Sequence, residues 1–404
     1  MSSPIDHRQL ADEMEIYFLN ESVGAGLPNW LPHGVAIRDS LEAFVKDLEF
    51  KGGYQRVISP HLAKADLYQA SGHLRAFKED MYPPIQWPED QSQYYLKPMN
   101  CPHHHMAFAA LPRSYRDLPL RLAEYGQVYR FERSGSLKGL SRVRGLCQND
   151  GHIYMPRSKS LDEVISVLEL HERCYRALGL KGYRYRLSKH DPHQMQKFDG
   201  EVSLWQESEK ILKEALDKLN LEYFEAEGEA AFYGPKIDVQ MKMNSGIEES
   251  IASVQLDFNS GKKFNLQFIN QDGKSEHPWI VHRAPLGSHE RFVALLLEFY
   301  QGRLPGWLAP IQVHLIPVRE EHIENARQLA QELRMQGVRA QVEMSQGSVS
   351  KKLLFSHRLR PFSYLVIGDK EIKEGVYNLQ RSNMSELMGL QEMIFRLKEL
   401  LKQP

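Results

Sequence analysis

Between Arg130 and His152 the chain reads RFERSGSLKGLSRVRGLCQNDGH, and its even-numbered positions carry Arg130, Glu132, Arg142, Arg144, Gln148, Asp150 and His152, interrupted by Leu146. Two antiparallel strands joined by the Ser/Gly/Lys-rich turn would put that whole set on one sheet face, because strand side chains alternate with period two. A face so charged packs poorly against a core and suits a bound phosphate, a purine edge or a metal. A solvated edge hairpin shows the same alternation. Charge is concentrated here, however: from Arg113 to Arg144 there are eight Lys or Arg against three acids, in a chain of formal net charge -1. Clustered cations fit a local anionic ligand better than a uniformly basic surface.

Two further segments carry reactive types. Cys101 stands at the start of a helix opened by NCP, with Pro102 in the first turn, where the positive dipole end lowers a thiol's pKa and favours the thiolate. His103, His104 and His105 follow it and, taken alone, read as polar helix residues. In HRAPLGSHER (282–291) a turn at Gly287 and Ser288 leads into a helix with Arg291 in its first turn. Three cysteines in 404 residues make no disulfide framework, so a special cysteine is a ligand or nucleophile. Cys147 and Cys174 read as small buried thiols.

The elements that must hold these residues follow from periodicity. Helices are expected at 5–20, 36–51, 64–71, 159–178, 204–220 and 289–300, with strand-like YQRVIS before Pro60 and an extended 94–97. KIDVQMKM, SVQLDF and KFNLQF (231–270) read as short strands. Past LPGWLAP (304–310) the order becomes strand IQVHLIPV, helix 320–336, strand RAQVEM, helix 350–359, strands YLVIG and VYNLQR, and helix 385–402. This predicts an α+β catalytic domain on a mainly antiparallel sheet (1–304), followed by a smaller α/β domain (305–404). With 42% hydrophobic and 25% charged residues and no run of roughly 18 apolar residues, a soluble cytoplasmic protein without membrane spans or a targeting peptide is expected.

Taken together, these segments resemble the catalytic and anticodon-binding portions of the threonyl-tRNA synthetase family, of class II. Residues 36–60 resemble the first class motif, 121–155 the second, with YRFERSG and RVRG, and 281–300 the third. KPMNCPHH (97–104), FYGPKID (232–238), VQLDF (254–258) and VHRAPLGSHER are similar to family signatures. The resemblance implies a homodimer formed through the first motif. It also implies threonine-tRNA ligase activity on ATP, L-threonine and tRNA(Thr), with Mg²⁺ accompanying ATP and one Zn²⁺ per chain.

Carried over residue by residue, the resemblance implies zinc ligands Cys101, His152 and His282, an N/S set suited to Zn²⁺, with the threonine amine and hydroxyl bound at the metal. It implies that Asp150 accepts from the substrate hydroxyl, that Gln148 and Tyr233 orient the amine and carboxyl groups, and that Lys236 lies near the carboxylate. ATP would meet Arg130 at the α-phosphate, Arg142 and Arg291 towards β and γ, Glu132 at the adenine amino group and Gln255 near the ribose and pyrophosphate. Glu371 falls on an anticodon contact. Leu146 replaces an adenine-stacking phenylalanine, Leu31 a histidine implicated in transfer, with His33 two residues away, and Gln380 an anticodon arginine that Arg381, Lys351 or Arg358 could compensate. The family's amino-terminal editing region is expected to be absent, so serine would be activated and its removal left to a separate trans-editing protein. A paralogue delivering the adenylate to a carrier protein or small molecule is the alternative, and a silent tRNA-binding module ranks third.

Overall fold

The computed structural model describes residues 5–244, 246, 248–381 and 384–404. They form two compact units, one drawn from the described residues up to Asn20, Pro28–Phe44 and Val293–Pro404, the other from Glu21–Leu27 and Val45–Phe292.

The second of these units is built on eight strands: Gln55–Arg56 (β1), Leu120–Tyr129 (β2), Gly145–Met155 (β3), Arg184–Lys189 (β4), Tyr223–Glu227 (β5), Lys236–Lys242 (β6), Glu248–Asp257 (β7) and Trp279–Ala284 (β8). Their spatial order is β5-β4-β6-β7-β8-β3-β2-β1. The central pairings are antiparallel, and only the outer pairs β4–β5 and β1–β2 are parallel. Ser160–Ala177 (α1) and Val202–Lys218 (α2) are amphipathic; α1 turns Val164, Val167, Leu168, His171, Cys174 and Tyr175 inward at three- and four-residue spacing. It packs against β7, β8 and α2.

The antiparallel register matters most for the site. It sets Leu122 opposite His152, His152 opposite His282, His282 opposite Gln255 and Gln255 opposite Lys236, one row across five strands. Asp150 and Gln148 stand two and four residues along β3 from His152, on the same face. The Ser/Gly/Lys-rich turn between the two halves of the hairpin is the long loop 130–144, which takes in residues expected on the strands. Arg130, Glu132, Arg142 and Arg144 lie in that loop, tied to the ladder by the bond from Arg130 N–H to Arg144 C=O (2.9 Å). KFNLQF is also largely not a strand: Ser260–Lys263 makes a helical turn and only Phe268–Ile269 is extended.

Beneath this face lies a buried ion pair. Arg283, partner of Gly151 in the ladder, is 1% exposed and reaches Glu49 at 2.8 Å, with its guanidinium 4.3 Å from the Tyr54 ring centroid. A Cβ at Gly151 would come within 2.6 Å of that guanidinium, so only glycine lets Arg283 lie across β3. Glu49 also accepts from Asn149 Nδ2 (3.0 Å).

The other unit carries Val313–Pro317 (β9), Ala340–Val342 (β10), Ser363–Ile367 (β11), Val376–Arg381 (β12) and Met384–Gly389 (β13), ordered β10-β9-β11-β12-β13. The first three are mutually parallel and the last two antiparallel. Ile323–Met335 (α3) and Leu390–Leu400 (α4) close its core with Leu329, Leu333, Met393 and Leu397. The helix expected at 385–402 begins only at Leu390, because 384–389 pairs with β12. The expected helix 5–20 is confined to His7–Glu13, and Tyr17–Phe18 pairs with Asn29–Trp30. The expected helix 36–51 starts earlier, as Pro32–Lys51. No helix among the described residues is long and apolar enough to cross a membrane.

Removing one member of a buried ion pair leaves its partner's charge uncompensated and typically costs about 3–5 kcal/mol. Glu49→Gln is therefore expected to shift the urea-unfolding midpoint down by a corresponding amount. An unchanged midpoint would show that Tyr54 and the backbone suffice for Arg283.

Candidate active site and metal centre

Cys101 is the first residue of the helix Cys101–Ala109, with Pro102 where an amide proton is not needed. It meets His152 of β3 and His282 of β8, whose ring centroids are 4.5 Å apart and nearly perpendicular. All three are buried, and their donor atoms lie within 4.8 Å of one another. That bound admits the roughly 3.5 Å edge of a tetrahedron with metal bonds of about 2.0–2.3 Å. One sulfur and two imidazoles suit zinc, so these residues fit the ion the resemblance implies. His282 Nε2 lies 3.1 Å from Asp257 Oδ2, while the other Asp257 oxygen accepts the Asn259 and Ser260 amides at 2.8 Å each. With Nε2 so engaged, Nδ1 is the His282 nitrogen left for a metal.

The thiolate expectation needs correction. Burial, with Asp150 and Asp257 nearby, pushes the Cys101 thiol well above its ordinary value. Desolvation outweighs the helix start, and the metal-free residue is a thiol. Burial likewise pushes His152 well below its ordinary value, keeping its imidazole neutral.

A cavity of about 100 Å³ is lined by Cys101, Arg130, Gln148, Asp150, His152, Tyr233, Gln255 and His282. The expected amino-acid and metal residues thus come together on one face. Tyr233 stacks on His282 (5.1 Å between centroids) and donates its hydroxyl to Gln255. A second cavity, about 140 Å³, shares Arg130 and Gln148 and adds Leu146, Ser250, Ser288 and Arg291. Arg291 is aimed by the carbonyls of Ser141 (3.1 Å) and Ser250 (2.9 Å). Burial and the nearby Arg291 both lower the pKa of Arg130, so an anion entering here would relieve two opposed guanidiniums. Gly287, at φ +53°, allows this turn; a Cβ there would lie 2.4 Å from the Ile251 carbonyl oxygen.

Four expected residues, Lys236, Glu132, Arg142 and Glu371, lie outside both linings. Lys236 is held by buried Asp238 at 2.7 Å, and Arg142 pairs with Glu132 (2.8 Å) in the 130–144 loop. In the other unit, Glu371 accepts from the Gly368 amide (2.9 Å) and caps its own helix. Gln380 lines a cavity of about 320 Å³ with Arg303, His357, Arg360 and Arg381. His33 is bound to the Met14 carbonyl (2.8 Å) and to Gln341 (3.0 Å).

Two residues of the site were missed from sequence. Asn100, fully buried, donates Nδ2 to Asp150 Oδ2 (3.0 Å), and Gly126 on β2 makes room for it, since a Cβ there would lie 2.2 Å from the Asn100 side chain. His104 lies 2.8 Å from His152, Nδ1 to Nδ1. The i, i+3 spacing of Cys101 and His104 was the available signal, because it puts both on one helix side.

A mainly antiparallel sheet bearing a signature helix start, two arginine-lined cavities and a separate α/β unit defines the core of a class II aminoacyl-tRNA synthetase. The family described as tRNA synthetase class II core domain (G, H, P, S and T) matches residues 85–300, and that described as anticodon binding domain matches 312–400. Threonine--tRNA ligase of Halalkalibacterium halodurans is 43% identical over 392 residues, 96% of this chain, and that of a Geobacillus species 42% identical over 97% of it. The chain spans 60% and 61% of those relatives' lengths. The crystal structure of the RNA binding domain of threonyl-tRNA synthetase from Cryptosporidium parvum superposes with a TM-score of 0.91 at 33% identity, covering 99% of each chain. The chain belongs to the threonyl-tRNA synthetase family.

Behind His104, the buried Glu124 carboxylate gives a testable pH signature. Burial alone would raise its pKa from 4.5, but hydrogen bonds from His104 and the Ser59 amide, with Lys97 nearby, hold it at about 2. A depressed folded-state pKa adds stability above the unfolded value, which is lost as pH falls through the folded one. The stability advantage of the wild-type chain over Glu124→Gln is expected to be full above pH about 4.5 and to shrink towards pH 2. Chemical denaturation at stepped pH measures it, and a gap constant across that window would contradict the assignment.

Proposed function

We propose that this chain activates L-threonine with ATP, forming threonyl-adenylate and pyrophosphate, and transfers the threonyl group to tRNA(Thr). Residues 1–304 serve the chemistry and 305–404 the anticodon. One observation carries this: Cys101, His152 and His282 converge beside Asp150 in a cavity whose lining shares Arg130 and Gln148 with an arginine-lined neighbour. A Zn²⁺ held by those three residues would supply Lewis-acid binding to an amine and a neighbouring hydroxyl. Asp150, oriented by Asn100, accepts a hydrogen bond from the hydroxyl. Tyr233 and Gln148 orient the amine and carboxylate. The carboxylate oxygen then attacks the α-phosphorus of Mg²⁺-bound ATP, the bond to the leaving pyrophosphate breaks, and Arg130 and Arg291 stabilise the growing charge. Lys236, Glu132, Arg142 and Gln255 support the nucleotide and carboxylate from the rim, and Glu371 faces the anticodon. Exposed Phe50 and Ile58 in the first-motif segment suit a homodimer contact.

Valine matches threonine in shape but leaves the hydroxyl's partners unsatisfied, whereas serine keeps both polar groups and lacks one methyl, worth only about 1–3 kcal/mol. Pyrophosphate exchange is expected to run with threonine, to fall by roughly 10–200-fold with serine and to fail with valine. Cys101→Ala should lose zinc together with the discrimination against valine. Serine rejected by more than about 10⁴-fold would overturn this account, since binding of one methyl cannot supply that ratio.

Leu146, buried with Val128 and Val143, forms an apolar wall of the second cavity. An aromatic face in that place adds about 0.5–1.5 kcal/mol of stacking. Leu146→Phe is expected to lower KM for ATP about 2- to 12-fold, leaving KM for threonine unchanged, as read by exchange kinetics at varied ATP.

A further inference from the structure

We infer that His104 and Glu124 are positioning residues that fix which ring nitrogen His152 offers to a metal, an inference resting on the zinc-centre reading above. His104 follows Cys101 by three residues on the same helix, and both it and His152 are 1% exposed. Their Nδ1 atoms are 2.8 Å apart, so one proton lies between them. The direction of that bond decides the site: a His152 that carries its proton on Nδ1 has a free lone pair on Nε2, and the opposite tautomer turns an N–H towards the cluster.

The far side of His104 selects the direction. Its Nε2 lies 3.0 Å from Glu124 Oε2. Ser59 donates both its amide and its hydroxyl to Glu124 at 2.8 Å each, and the Lys97 ammonium donates to the Ser59 hydroxyl (2.7 Å) and stands 3.5 Å from Glu124. An ionised carboxylate only accepts, so His104 keeps its proton on Nε2. In a neutral imidazole a proton on Nε2 leaves Nδ1 as the acceptor, while Lys97, itself unexposed, supplies the countercharge to Glu124. His152 then donates from Nδ1 and presents Nε2. His282 is set directly by Asp257 through Nε2 and presents Nδ1. Two buried carboxylates thus specify opposite nitrogens on the two imidazoles, one by direct contact and the other through an intervening ring.

Isosteric amides separate this role from simple space filling. Asparagine keeps an acceptor near the position of the histidine Nδ1, whereas glutamine keeps a donor near that of Nε2 and vacates the contact with His152. Zinc affinity, read by competition with a chromophoric chelator, is expected to stay within about threefold of wild type in His104→Asn and to fall about 10- to 100-fold in His104→Gln. The Co²⁺-substituted proteins should show the thiolate-to-metal band in both, with altered d–d bands only in His104→Gln. Should the glutamine variant not fold, His104→Ala with added imidazole makes the same comparison: recovered zinc affinity supports the relay, and none overturns it. Equal affinities in the two amide variants, or tighter binding by glutamine, overturn the relay alone. A wild-type chain that takes up no zinc overturns the metal centre and the relay with it.

Discussion

The site depends on one register. Because β3 and β8 run antiparallel with His152 opposite His282, two imidazoles from residues 130 positions apart in sequence share one row of the sheet, and Gln255 and Lys236 extend that row. A slip by one residue would turn the whole set to the opposite face. The register is locked from beneath by Arg283, which alternates with His282 and points to the other side, where Gly151 makes room and Glu49 holds its charge. Chemistry above the sheet and a buried ion pair below it are therefore two faces of the same strand pairing.

Around that row, each buried charge has a dedicated partner. Lys97 is matched to Glu124 through Ser59, Asp257 to His282 and two backbone amides, and Arg283 to Glu49. Such groups add little net stability, since desolvation offsets most of their attraction. What they provide is orientation: a carboxylate that can only accept determines where the protons of its neighbours sit. Arg130 and Arg291 differ: both are held by backbone carbonyls, Arg291 has Glu249 only at 3.9 Å, and Arg291 itself lowers the pKa of Arg130, so an incoming anion would meet guanidinium charge.

Much of this was legible in the chain. Alternation placed Gln148, Asp150 and His152 on one face, and NCP marked the helix that delivers Cys101. Period-two reasoning failed where the ladder stops: Arg130, Glu132, Arg142 and Arg144 occupy a loop, where alternation carries no geometric meaning. The protonation of Cys101 was misjudged because a helix start is visible locally, whereas desolvation depends on which distant strands cover the thiol. His104 escaped notice for the same reason, since its partners Glu124 and His152 come from other elements. Residues 385–389 read as helix because their helical neighbour Leu390–Leu400 dominates the local pattern, and only β12 supplies the pairing that makes them part of a strand.

The two cavities treat their ligands by different physics. The one around Cys101 is small and polar, with the Asp150 carboxylate in its wall, so a guest that lacks a matching donor leaves a buried acceptor unpaired. Selectivity there follows from the cost of the wrong ligand. Its neighbour is lined on one side by Leu146, which is backed by Val128 and Val143, and also by the Arg130 and Arg291 guanidiniums. Dispersion against an aliphatic wall is weakly directional, so the nucleotide proposed for this cavity would take its orientation from the charged side. On the proposed reading, the shared residues Arg130 and Gln148 join the two halves of the arrangement, since one would fix the anion while the other would face the amino acid.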